Sequence, residues 1–156
     1  MGLAKRLNDV AVTERCIAKM DGAVLAAADD LFTVAGGPIL VTEVIGIVKT
    51  LIVGAANGTL QATSTIPATT TVMSSTVAID DDAAGTMYHF VGAGVLTPVT
   101  AGVKIVDKSS ATVGNCNWVV PVGTIQFLGS AARVGVIEWY MTYKPLSPNS
   151  VVTVAA

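Results

Sequence analysis

The sequence predicts an all-β fold: a single-domain antiparallel β-sandwich or jelly-roll-like barrel with extended terminal arms. Apolar and polar residues alternate over residues 133–144, which is typical of a strand with one buried face. Short apolar runs recur at roughly ten-residue spacing between Gly, Pro, Ser and Asp, with no longer repeat. We therefore divide the chain into an N-terminal arm or first strand (1–20), a β-sandwich body (21–144) and an extended C-terminal tail (145–156).

The composition favours burial against other chains. Of the 156 residues, 52% are hydrophobic and only 13% are charged, which is about half the usual charged share. So few charged side chains indicate that other chains cover part of the apolar surface, so we expect an oligomer or a component of a larger particle. The formal net charge of −2 gives no electrostatic attraction to nucleic acid or to an anionic membrane, and we expect neither as a partner.

The first elements are predicted from turn signals and branched residues. Residues 3–20 contain many helix-favouring residues, but we favour extended structure there, followed by an Asp-Gly hairpin turn at 21–22. Residues 39–57 are almost wholly apolar, yet Glu43 and Lys49 interrupt them and β-branched residues dominate. A buried strand is therefore favoured over a membrane span.

The later elements are predicted to be short strands. Residues 58–79 are rich in Thr, Ser and Ala and are broken by Pro67, so we expect two strands around a loop. Residues 120–130 place Ile125 and Phe127 inward and are expected to form a hairpin with 133–144, joined by a Gly-Ser-Ala-Ala-Arg loop. The inward residues of its second strand are predicted to be Ile137, Trp139, Met141 and Tyr143.

The two cysteines, Cys16 and Cys116, are too few for a disulfide framework. They could form one bridge, but the sequence does not fix the distance between them. We favour two buried free thiols, because free cysteine behaves as a small hydrophobic residue.

An Asp-rich stretch before the single histidine is the place where chemistry would be expected. Asp80, Asp82 and Gly85 match positions one, three and six of the EF-hand calcium loop. Ala84 and Val91 occupy the fifth and twelfth positions, where the loop needs oxygen ligands. Asp80 and Asp82 are thus a calcium candidate that lacks two ligands, and a solvated turn is the favoured interpretation.

No other pattern indicates catalysis. His89 follows the Asp-rich turn on an apolar strand, where a core or interface role is expected. The sequence shows no nucleophile elbow, dinucleotide-binding turn or zinc-ligand spacing, so we predict a protein that is not an enzyme and needs no cofactor. Four aromatic residues could stack on a sugar, although packing at a strand face or subunit contact is favoured. They are Trp118, Trp139, Tyr140 and Tyr143.

Three segments resemble small virion-associated proteins of tailed bacteriophages that are encoded near the capsid genes. They are LFTVAGGPILVTEVIGIVKT (31–50), DDDAAGTMYHFVGA (80–93) and VPVGTIQFLGSAARVGVIEWYMTYKPLSPNSVVTVAA (120–156). The most recognisable pieces are strand and turn signatures, namely Gly-Gly-Pro-Ile, Ala-Gly-Thr-Met, Pro-x-Gly-Thr-Ile and the closing YKPLSP. They carry over no active site.

The resemblance implies a capsid decoration (cement) protein. Such a protein would be a β-sandwich or jelly-roll-like homotrimer, bound to the major capsid protein on the outer surface of the virion after synthesis in the host bacterial cytoplasm. It would stabilise the shell by bridging capsid subunits. A head-fibre, tail or glycan-binding adhesin component is the alternative.

We expect the capsid or subunit contact at the chain ends. Lys5 and Arg6 stand among apolar residues, and Pro145 and Pro148 discourage continued strand pairing. The uncharged, β-prone tail after them should leave the body and pair with a neighbour by strand addition. A tail folded back on its own sheet edge is the alternative. The contact residues predicted in the tail, besides the two prolines, are Val151, Val152 and Val154.

Overall fold

The computed structural model describes residues 15–20, 28–91, 95–99 and 118–155, and these residues form strands, turns and no helix. The strands build two antiparallel sheets. Sheet A contains β1 (Arg15–Met20), β3 (Ile39–Val53), β7 (Met87–Val91), β8 (Val95–Val99), β9 (Trp118–Val120) and β11 (Val134–Pro145). Sheet B contains β2 (Asp29–Ala35), β4 (Asn57–Thr65), β5 (Ala68–Val72), β6 (Val77–Ala78), β10 (Gly123–Gly129) and β12 (Val151–Val154).

The strand order places long central strands inside both sheets. Sheet A runs β1-β11-β3-β7-β8, and β9 also pairs with β3. Sheet B runs β12-β2-β10-β4-β5, and β6 also pairs with β4. The predicted all-β sandwich class is confirmed.

Aromatic side chains join the two sheets at the centre of the core. Phe127 of β10 and Trp139 of β11 belong to opposite sheets, and their ring centroids are 4.9 Å apart. Trp139 also stacks on Tyr88 of β7 at 6.5 Å, and all three side chains are buried. The predicted inward faces of β10 and β11 are confirmed, because these predicted residues are all buried: Ile125, Phe127, Ile137, Trp139, Met141 and Tyr143.

The predicted hairpin between β10 and β11 is wrong. β10 pairs with β2 and β4 in sheet B, whereas β11 pairs with β1 and β3 in sheet A. The connection 130–133 therefore passes from one sheet to the other across the core, a distance of roughly 10 Å. A period of two identifies the buried face of a strand but does not identify its partner strand.

The other strand predictions agree with the structure where residues are described. Residues 39–53 form β3, a central strand, and the described residues contain no helix that could cross a membrane. The segment 58–79 contains the β4–β5 hairpin, which turns at Ile66–Pro67. The extended interpretation of 3–20 is confirmed over 15–20, where Cys16 lies in β1. The turn at 21–22, together with Lys5, Arg6 and Cys116, lies outside the described residues.

Candidate functional site

The Asp-rich loop between β6 and β7 is fastened to the end of β3 by hydrogen bonds. Asp81 Oδ1 accepts the backbone N–H of Gly54 at 2.8 Å. The hydroxyl of Tyr88 donates to Asp82 Oδ2, and the N–H of Ile52 donates to the carbonyl oxygen of Asp82 at 3.1 Å. Two of the three carboxylates therefore hold the loop in place.

These bonds give the calcium candidate Asp82 a structural role. Burial, with Asp82 as hydrogen-bond acceptor, raises the pKa of Tyr88 far above its ordinary value, so the phenol remains a proton donor to that carboxylate. Asp80 is exposed. Within the described ranges, no group of three or more His, Cys, Asp or Glu residues could hold a metal ion. That this turn works without metal stays a prediction.

His89 lies on the outer face of sheet A, because its neighbour Tyr88 points into the core. It is buried, and its Nε2 atom lies 3.1 Å from Oε1 of Glu43 on β3. The position agrees with the expected core or interface role. The sequence did not reveal Glu43 as the partner, since the two residues are 46 positions apart.

A row of threonines crosses sheet B on its outer face. The pairing register aligns one threonine from each of five neighbouring strands, in the order β12, β2, β10, β4 and β5. These residues are Thr153, Thr33, Thr124, Thr63 and Thr70. The Oγ1 atoms of Thr63 and Thr124 are hydrogen-bonded to each other. With strands about 4.8 Å apart, the row is roughly 20 Å long.

A second polar row runs beside the threonines. Gln61 Nε2 donates to Gln126 Oε1 at 2.7 Å, and Gln126 Nε2 donates to Asp30 Oδ1. Among the described strands of sheet B, only Asp29 and Asp30 are charged, and both lie at the start of β2. We term this surface the threonine face, defined by Thr33, Gln61, Thr63, Thr70, Thr124, Gln126, Val151 and Thr153.

The outer face of sheet A differs in charge. Lys49 Nζ and Glu138 Oε2 form an ion pair at 2.6 Å, and the His89–Glu43 contact lies on the same sheet. The hydrogen bond between these two side chains raises the pKa of Lys49 and lowers the pKa of Glu138. The two outer faces are therefore chemically distinct, and of the two, as far as their residues are described, only the threonine face offers a broad surface of hydroxyl, amide and methyl groups.

The C-terminal tail is a strand of sheet B and does not extend away from the body. Val151–Val154 pair with β2, after a turn in which Ser150 Oγ donates to the carbonyl oxygen of Pro38 at 2.7 Å. Pro145 ends β11 and Pro148 lies in the turn. The prolines interrupt pairing as expected, but the chain then reverses. The fold-back alternative is the one observed.

This strand changes the role of the predicted contact residues. Val152 is buried between the sheets and cannot serve as a surface contact. Val151 is 43% exposed and lies on the threonine face, and Val154 is 44% exposed at the strand end. Pro145 is buried and Pro148 is exposed. The part of the tail that faces outward thus adds to the threonine face, a relation visible only once the register is known.

The aromatic residues considered for sugar stacking lie in different environments. Trp139 and Tyr143 are buried in the core, so their rings cannot stack on a ligand at the surface. Half-buried Trp118 lines a pocket of about 80 Å³ between β9 and the inner side of the β4–β5 hairpin. This volume is well below the roughly 300 Å³ at which small-molecule sites begin. The pocket therefore does not suit a sugar ring.

The threonine face is the described surface best suited to contact another molecule. It combines width, hydrogen-bonding groups in register and a near absence of charge. No protein family, curated protein or solved structure matches the chain significantly.

Proposed function

We propose that this protein is a bacteriophage capsid decoration (cement) protein, which lies on the outside of the shell and bridges neighbouring capsid subunits as a homotrimer. The threonine face is the observation that carries the proposal. The resemblance of 31–50, 80–93 and 120–156 to phage virion-associated proteins supports the same role. The major capsid protein is the partner that this role requires.

The area of the threonine face limits how strongly one copy of the protein could bind the capsid. Five strands with an average length of roughly 20 Å, across a row of about the same length, give a face of about 400 Å². Contact with a surface of equal size would bury about 800 Å² in total, less than the 1,200–2,000 Å² of stable interfaces. One face therefore gives a weak contact. A trimer that presents three faces at once would bind far more strongly, because the second and third contacts form at high effective concentration.

The chemistry of the face suits a permanent contact. Each threonine offers a methyl group that gains free energy on burial and a hydroxyl that can donate or accept a hydrogen bond. Because Asp29 and Asp30 are the only charged residues in the described strands of sheet B, binding through this face should depend little on ionic strength.

Co-sedimentation with capsids that lack the protein tests the proposal. Thr124→Lys places a charge at the centre of the threonine face, and Thr142→Lys makes the same change on the outer face of sheet A. We expect Thr124→Lys to abolish binding, whereas Thr142→Lys and the parent protein remain bound from low to high salt. Equal binding of both variants would show that another surface contacts the capsid.

Copy number on purified particles distinguishes decoration from the alternative of a head-fibre, tail or glycan-binding component. The hydroxyl and amide rows of the threonine face are also compatible with carbohydrate binding. Hundreds of copies per particle would support decoration. A few dozen copies, together with binding to a glycan array that Thr124→Lys removes, would support the adhesin alternative.

A further inference from the structure

The β4–β5 hairpin leaves one sheet edge open. β5 pairs only with β4 among the described strands, and all five of its residues are exposed. The strand contains no charged residue and no proline. Protein sheets usually protect such an edge with charges, prolines or covering segments, because its free backbone groups pair readily with another strand.

Hydrogen bonds next to β5 fix the direction of its backbone groups. The N–H of Met73 donates to the carbonyl oxygen of Leu60 at 2.8 Å. The backbone N–H of residue 73 therefore points toward β4. Since direction alternates along an antiparallel strand, Ala68, Thr70 and Val72 direct their N–H and C=O groups away from β4. Three residues of β5 therefore present backbone donors and acceptors at the edge that no described strand pairs with.

We propose that a second copy of this chain covers this edge by antiparallel pairing of β5 with the partner's β5. The twofold axis lies midway between the two strands, so that Thr70 is opposite the partner's Thr70. Ala68 then lies opposite the partner's Val72, and Val72 opposite the partner's Ala68. In this register, the three residues of each strand whose backbone groups point outward lie opposite the three such residues of the partner strand. Each outward N–H can therefore donate to an outward C=O of the partner.

The side chains of β5 support a second copy as the occupant. The strand is uncharged, so two identical strands can approach without the repulsion of like charges in opposed positions. Ala68 is small and Val72 is branched, so each of the two Ala68–Val72 pairs places a small side chain next to a larger one. Thr70 ends the row of the threonine face, and pairing through it continues that row into the partner.

The contact forms a closed twofold pair, because both copies use the same patch. It does not depend on capsid binding. If the protein is a trimer, as proposed above, each of its three β5 edges would pair with the β5 edge of another trimer, so the mass in solution would exceed that of three chains.

Charge substitutions at Thr70 test the pairing. Thr70→Lys and Thr70→Glu each place like charges opposite one another across the axis, and we expect each to weaken association at least about tenfold. An equimolar mixture of the two variants should restore association, since Lys then faces Glu. Thr153→Lys changes the other end of the threonine row and serves as the matched control. Sedimentation velocity across a concentration series measures the parent protein, the two Thr70 variants, their mixture and the control variant.

A proline variant gives a second, independent measure. Thr70→Pro removes an outward-pointing N–H, a position where an edge strand tolerates proline, so the melting temperature should fall little while association is lost. The proposal is overturned by any of three results. These are parent protein that shows no pairing, single-charge variants that associate like the parent, and a Lys–Glu mixture that associates no better than either variant alone.

Discussion

Gly46→Ala should destabilise the fold because the core has no space for one methyl group at that position. Gly46 lies on the inner side of β3, paired with Trp139 of β11. A Cβ atom there would lie 2.7 Å from Cζ3 of the indole and 2.9 Å from both Cε3 and Cη2. The indole cannot move aside easily, since it is fully buried between the rings of Tyr88 and Phe127.

The expected cost follows from these distances. Overpacking a well-packed core by one methyl group typically costs 1–3 kcal/mol, and three contacts below 3 Å on a confined ring place Gly46→Ala in the upper part of that range. Replacing glycine also stiffens the unfolded chain, which returns about 0.5 kcal/mol. We expect a net loss of about 2 kcal/mol, or a fall in melting temperature of roughly 4–8 °C for a chain of this size.

Urea and thermal unfolding followed by far-UV circular dichroism measure the effect. The double variant Gly46→Ala/Trp139→Phe is the control, since the smaller phenyl ring vacates the space that the new methyl group needs. Its cost should be at least about 1 kcal/mol less than the sum of the two single changes. A Gly46→Ala protein within about 0.5 kcal/mol of the parent would refute the packing argument.

Three further predictions concern the Asp-rich loop and the ion pair of sheet A. Tyr88→Phe removes the hydroxyl that donates to Asp82 and should cost about 1.5–3 kcal/mol in urea unfolding. A chelator should leave both the melting temperature and capsid binding unchanged. A lower melting temperature or a loss of capsid binding would support calcium binding at Asp80 and Asp82. The Lys49–Glu138 pair should add stability that Lys49→Met removes. The hydrogen bond between the two side chains lowers the pKa of Glu138 from 4.5 and raises the pKa of Lys49 from 10.5. The difference in urea midpoint between the parent protein and Lys49→Met should therefore be constant at neutral pH. It should shrink as pH falls through the lowered value or rises through the raised one.

Side-chain periodicity was sufficient to predict the fold class and the buried face of the best strands. In β11 the four predicted inward residues are buried, because burial of one face demands alternation whatever the partner strand. The pairing of β10 with β11 could not be inferred in the same way. A connection of four residues can close a hairpin or cross between sheets, and here it crosses, which places Phe127 and Trp139 in contact from opposite sheets.

The candidate site was less accessible to sequence reasoning. The five threonines of the face come from five strands, and only the pairing register brings them into one row. The same holds for the tail, whose prolines predicted a break but not the direction taken afterwards. A local signal existed for β5, since Thr and Val favour strands, but its position at an open edge is a property of the whole sheet.

The position of β2 between β10 and β12 has a consequence for how fast the protein folds. Asp30 bonds to Gln126 across 96 positions of the chain, and Pro38 to Ser150 across 112. Such long loops must be closed before β2 gains its pairing energy with β10 and β12, and proteins dominated by contacts of this kind fold in milliseconds to seconds. During that interval the apolar side chains of Leu31 and Phe32 remain uncovered, so refolding yield should fall as protein concentration rises. In a cell, β2 cannot pair with β10 on the ribosome until synthesis has reached residue 123, which pairs with Val34.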